Sequence, residues 1–189
     1  MVVLAIGCGQ FPASLDGPLP LGQLARDDAG LVPELLAARQ LEREGKLDEA
    51  IESYRLIIEE NPKRSDVHHR LAVTLDKANR HDESADYYQT AIRLDSRNAE
   101  FLCDYGYSRY IQGDLDEAQQ SLRRATRLQE EFPRAHNNLG LVLTRQGRDE
   151  EALASFRLAG LSDAESRSNL KHARDMPNSE KTATADDGS

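Results

Sequence analysis

The sequence predicts an all-α fold, an α-solenoid of four helix–turn–helix repeats followed by a C-terminal capping helix. Three observations predict it. A 34-residue unit recurs four times without insertion, starting at Leu31, Ser65, Ala99 and Pro133, a period that belongs to stacked helix pairs. When the copies are superposed, position eight is always small (Ala38, Ala72, Gly106, Gly140), as is position 20 (Ala50, Ser84, Ala118, Ala152), whereas position 24 is always large (Tyr54, Tyr88, Leu122, Phe156). Small residues facing a large one let helices interdigitate at interior packing density. Position 15 is Gly45, Asn79, Gly113 and Gly147, the residue types that best tolerate the left-handed backbone of a tight helix-to-helix turn.

Copy one, 31–64, opens a first helix near Pro33, where a missing N–H costs nothing, and its apolar face is Leu35, Ala37, Ala38 and Leu41. Its second helix starts at Asp48-Glu49 and closes before Asn61-Pro62. Asp82-Glu83, Asp116-Glu117 and Glu150-Glu151 repeat the acidic start. Helix dipoles explain these pairs without any metal or catalytic role. Copy two, 65–98, carries His68, His69 and His81; neighbours on a helix diverge in direction, so His68 and His69 are not a ligand pair. Copy three, 99–132, has a tyrosine-rich first helix around Tyr105, Tyr107 and Tyr110, and copy four spans 133–166. A capping helix over 163–176 overlaps the end of copy four, presents Leu170 and Ala173 inward, and sets Arg174 where the copies carry Gly or Ala. A charged residue there stops further stacking. Residues 177–189 are polar and read as a disordered tail.

The repeat over residues 31–166 resembles the tetratricopeptide repeat. Positions eight, 15, 20 and 24, together with the Gly113-Asp-Leu-Asp-Glu-Ala118 run, carry the likeness in all four copies. Departures are local. Position four, usually aromatic in that family, is Glu34, His68, Leu102 and His136, and position 11 of copy three is Arg109 instead of leucine. The resemblance implies that first helices line a concave groove. In copy three the groove residues are then Glu100, Cys103, Asp104, Tyr107, Tyr110 and Ile111, and in copy four Arg134, Asn137, Asn138, Leu141, Thr144 and Arg145.

From these the expected partner contacts are Tyr107, Tyr110, Asn138, Arg134 and Arg145. Tyrosines supply large rigid surface with a polar tip, and arginines supply forked donors. Tyr110 has an alternative reading, packing in the apolar place that Arg109 leaves. Cys103 reads as a small, semi-buried filler. The carboxylate clamp of chaperone-adaptor relatives is absent: in one register its positions hold Leu35, Arg39, Arg70, Glu100 and Asp104, and in the other His69, Val73, Asp104, Arg134 and Asn138. Asp104 is expected to repel a carboxylate.

Composition narrows the function. A net charge of −9 argues against a phosphate backbone as partner. No phosphate-binding glycine loop, metal-ligand spacing or nucleophile with a base is found, so the chain is read as non-enzymatic, without cofactor or small-molecule substrate. Two cysteines, Cys8 and Cys103, make no disulfide framework.

The first eight residues, MVVLAIGC, are apolar up to a Gly7-Cys8 junction and resemble the end of a bacterial lipoprotein signal, in which such a cysteine is lipidated. The charged part and more of the apolar part of that signal are expected upstream of Met1. Residues 9–30, interrupted by Pro12, Pro18, Pro20, Gly17, Gly22 and Gly30, read as a disordered linker; a flexible tether of that length spans roughly 25 Å. Two readings follow: an envelope lipoprotein resembling those of pilus or secretion-system assembly, anchored through Cys8 and holding a peptide or helix of a protein partner, or a soluble cytoplasmic adaptor with the same groove.

Overall fold

The computed structural model describes residues 33–175, which contain nine α-helices and no strand. The Cys8 leader, the 9–30 linker and the 177–189 tail lie outside the described residues. The helices are α1 (Pro33–Arg43), α2 (Leu47–Glu60), α3 (Ser65–Lys77), α4 (His81–Leu94), α5 (Ala99–Gln112), α6 (Leu115–Leu128), α7 (Pro133–Arg145), α8 (Asp149–Leu158) and α9 (Asp163–Asp175). They fall into two compact units, 33–96 and 97–175.

In the first unit α1 pairs with α2, α2 packs on α3, and α3 pairs with α4. Leu35, Ala38, Ala50, Ile51, Tyr54, Ile57, Val67, Leu71 and Leu75 form its core. Both large residues at position 24 are tyrosines here, and each buried hydroxyl meets a carboxylate at position 12 of its own copy. Tyr54 donates to Glu42 Oε2 at 2.9 Å, and Tyr88 donates to Asp76 Oδ2 at 3.1 Å. Asp76 also accepts from Ser84 Oγ at 2.5 Å and lies 3.0 Å from His81 Nδ1. Lys77 reaches Glu42 at 2.5 Å. Burial beside Glu42 pushes the Tyr54 hydroxyl well above the ordinary phenol range, so it stays a donor.

In the second unit α5 pairs with α6 and α7 with α8, α6 packs on α7, and α5 lies alongside α7. Position 24 is apolar here, Leu122 and Phe156, and position 12 carries no carboxylate, being Tyr110 and Thr144. The carboxylate and the tyrosine thus occur together in the first unit and are replaced together in the second. A buried acid without its donor would be left undersolvated, so neither partner is expected to change alone.

All four turns between paired helices close in one way. Gly45, Gly113 and Gly147 have φ of +75°, +89° and +75°, and Asn79 has +58°. Each is followed by a residue whose N–H returns five residues back, as in Lys46 to Leu41 at 3.0 Å and Arg148 to Leu143 at 2.9 Å. A fifth such stop is Gly160, at +80°, with Leu161 N–H bonded to Phe156 O at 3.0 Å. It ends α8 after ten residues, where α2, α4 and α6 each run for fourteen. The cap α9 therefore starts at Asp163, four residues ahead of the 34-residue register, and packs on α7 and α8. Leu170 and Ala173 are buried, and Arg174 pairs with Asp149.

His68 and His136, both at position four, are buried, and each ring places Nε2 against a carbonyl six residues back: Pro62 O at 2.9 Å and Glu130 O at 2.8 Å. The imidazole thus fills an aromatic slot and also ties the preceding loop to the helix.

Candidate partner-binding face

The site residues come from α5 and α7, the first helices of copies three and four. The Asn98 side chain starts α5 by accepting from Glu100 N at 3.1 Å and Phe101 N at 3.3 Å. Gly106 then keeps the opposite side of the helix bare, so that α6 approaches closely; a β-carbon there would stand 2.6 Å from Leu122 Cγ. With that side held against α6, positions two, five, six, nine and twelve are turned toward α7 or outward. Pro133 opens α7, and Gly140 plays the same part against α8.

Tyr107 and Tyr110 have ring centroids 6.0 Å apart, tilted by 34°. The Arg145 guanidinium lies over the Tyr110 ring, 5.7 Å from its centroid. Arg134 lies over Phe132 at 5.3 Å and within 3.5 Å of Asp104 Oδ1. Asn138 Nδ2 approaches Cys103 Sγ at 3.7 Å, and Asn169 of α9 donates to Asn137 Oδ1 at 3.0 Å. A ring beneath a guanidinium group holds its plane in place.

The five expected contacts are not equally placed. Tyr107, Arg134 and Arg145 are half-buried, and Arg134 exposes 30% of its side chain. Tyr110 and Asn138 each expose 1%. They form the floor beneath the other three, and Tyr110 fills the packed place that its alternative reading gives it. Arg109 explains why that place is open to it: its guanidinium turns to Asp114 at 2.6 Å and Glu117 at 3.0 Å.

Two further expectations are corrected. Cys103 is wholly buried, not semi-buried, and burial lifts its thiol to about 11. Asp104 does not stand in the groove as a repelling charge. It is 6% exposed, and burial raises its carboxyl to about 7 although Arg134 opposes the rise. Desolvation outweighs one guanidinium held at 3.5 Å.

Among the described residues no group of three or more His, Cys, Asp or Glu side chains is placed to hold a metal ion. No described helix is long and apolar enough to cross a membrane.

Paired helices of fixed period, with one row carrying rings and guanidinium groups, define a helical-repeat protein of the kind that binds other proteins. The tetratricopeptide repeat profile matches residues 35–99 and 103–165, two copies in each match, and the chain belongs to that family. It is 32% identical over 157 residues to the type IV pilus assembly protein PilF of Pseudomonas aeruginosa, covering 82% of this chain and 62% of that protein's length. A solved structure of Pseudomonas aeruginosa PilF superposes with a TM-score of 0.64 at 28% identity, covering 80% of this chain and 70% of that one. The crystal structure of MamA protein gives a TM-score of 0.67 at 18% identity, covering 74% of this chain and 78% of the other, a likeness of fold.

Proposed function

We propose that the chain is a non-enzymatic scaffold of pilus assembly, which binds a peptide or helix of a protein partner on the α5–α7 face and is held at the cell envelope through a lipidated Cys8. The observation that carries the binding reading is the Tyr107–Tyr110–Arg145 stack beside Arg134. Aromatic residues and arginine are the side chains that most often dominate the energy of protein interfaces. In this reading Tyr107, Arg134 and Arg145 touch the partner, and Tyr110 and Asn138 hold them in place from beneath. The pilus assignment draws on the likeness to PilF. The anchor draws on the apolar leader that ends at Gly7-Cys8 and the breaker-rich stretch after it.

Affinity capture of envelope proteins from the host, with wild type and Tyr107→Ala, tests the face. Tyr107 is the position of choice because truncating the buried Tyr110 would also open a cavity. Loss of the captured pilus proteins by a folded Tyr107→Ala supports the reading, and their full retention contradicts it. Membrane fractionation of wild type against Cys8→Ser tests the anchor. A wild type found wholly in the cytosol favours the unanchored adaptor.

A further inference from the structure

The charge of this face runs against that of the chain. The protein carries a formal net charge of −9, yet α7 is the one helix among the nine described without an acidic residue, and it bears Arg134 and Arg145. These stand 11 residues apart, three turns of helix, and so on the same side and about 16 Å from each other. Each guanidinium lies over a ring, Phe132 or Tyr110. Stacking holds the plane of an arginine, and its five N–H donors are more than one neighbour takes up. The acids of the neighbouring α5 are Glu100, exposed in its first turn, and Asp104, buried against Arg134. Because the copies are in register, Tyr107 at position nine falls between the levels of the two arginines, at positions two and 13. Asn137 engages its carbonyl with Asn169, which leaves its amide hydrogens as the half suited to a main-chain carbonyl. An extended segment displays such carbonyls, whereas a helix has already used them.

Resting on the reading that this face takes a protein partner, we propose that its occupant is an extended acidic segment, with two carboxylates four residues apart on one side of the extended chain and an apolar side chain between them on that same side. Four residues of extended chain cover about 13 Å, and the long arginine and glutamate side chains reach across the rest of the about 16 Å between the two arginines. One carboxylate meets Arg134, the other meets Arg145, and the apolar residue lies on Tyr107.

The test is fluorescence anisotropy at low salt with the full chain and labelled nine-residue peptides. The first peptide carries Glu at its second and sixth positions, Leu at its fourth, and a proline to keep it extended. The others replace both Glu by Gln, replace both by Lys, or bring the two Glu within two residues. The proposal expects the first to bind at least tenfold more tightly than each of the others, and Arg134→Gln and Arg145→Gln each to weaken it about tenfold. Arg127→Gln, on α6, should leave it unchanged. Because three arms alter only the peptide, the result stands even where a protein variant folds poorly. Equal binding of the Glu and Gln peptides, or no binding of the first, overturns the proposal. If capture of pilus proteins is lost with Tyr107→Ala but kept in both arginine variants, this proposal fails and the binding face itself stands.

Discussion

Gly140 and Phe156 share one layer of the second unit so closely that a β-carbon on Gly140 would stand 2.6 Å from Phe156 Cδ1. Gly106 and Leu122 repeat the relationship one copy earlier, where a β-carbon would also lie 3.1 Å from the Ala118 carbonyl. Positions eight and 24 are therefore one packing unit. Gly140→Ala should lower stability by about 1 to 3 kcal/mol through overpacking, although alanine in a helix interior is otherwise favoured by about 1 kcal/mol. Ala118→Leu should cost a similar amount. Urea denaturation of both, against the exposed Lys63→Ala, gives the comparison, and a Gly140→Ala protein as stable as wild type would contradict the packing.

The tyrosine–carboxylate pairs make a second expectation. Tyr88→Phe removes one of the groups that solvate Asp76, and Tyr54→Phe does the same to Glu42. Each should cost about 1 to 2 kcal/mol, as for a buried hydrogen bond to a charged group. Phe156, with no hydroxyl, is the internal control: Phe156→Tyr brings a hydroxyl to a copy whose position 12 is Thr144 and should destabilise. Melting curves of the three variants distinguish this from generic packing loss, which Tyr→Phe scarcely produces.

Asp104 sets a pH dependence. Its carboxyl is raised from 3.8 to about 7, so between those values the folded chain holds a proton that the unfolded chain has released. The resulting stabilisation is complete below about 4 and is lost as pH rises through 7, with a slope of up to about 1.4 kcal/mol per pH unit. Asp104→Asn should flatten the fall in melting temperature between about pH 4 and 7. An unchanged slope would mean that another group, not Asp104, titrates there.

The left-handed stops differ in residue type but share a conformation. Gly147→Ala, at φ +75°, should destabilise by about 1 kcal/mol. Asn79→Gly, at +58°, should be nearly neutral. Chemical denaturation of the pair checks it, and a neutral Gly147→Ala would contradict the backbone assignment.

These residues show how far the sequence can be read. Positions eight, 15 and 24 are legible because a period repeats the same steric demand four times, and one look along the copies exposes it. Gly160 carried a signal too, standing at position 28 where the other copies have Ile58, Ile92 and Thr126. Its effect on the register of α9 required knowing that it ends α8. The co-occurrence of Glu42 with Tyr54 and of Asp76 with Tyr88 was likewise present in the sequence, but only the packing of position 12 on position 24 gives it meaning. Burial of Asn138 and Asp104 was not legible, and that of Tyr110 stood only as one of two readings. It depends on how α5 and α7 lie side by side, and helical spacing places a residue on a face without saying how deeply the neighbour covers it.

The central claim is that the α5–α7 face, not the exposed side of α6, receives the partner. A photo-cross-linking amino acid placed at Tyr107, compared with one at Leu128, whose side chain is exposed on α6, tests it most directly in the native host. The account predicts a protein cross-linked at position 107 and not at 128, with the yield reduced by Arg134→Gln and Arg145→Gln. Cross-linking confined to position 128, or equal at both, would contradict it.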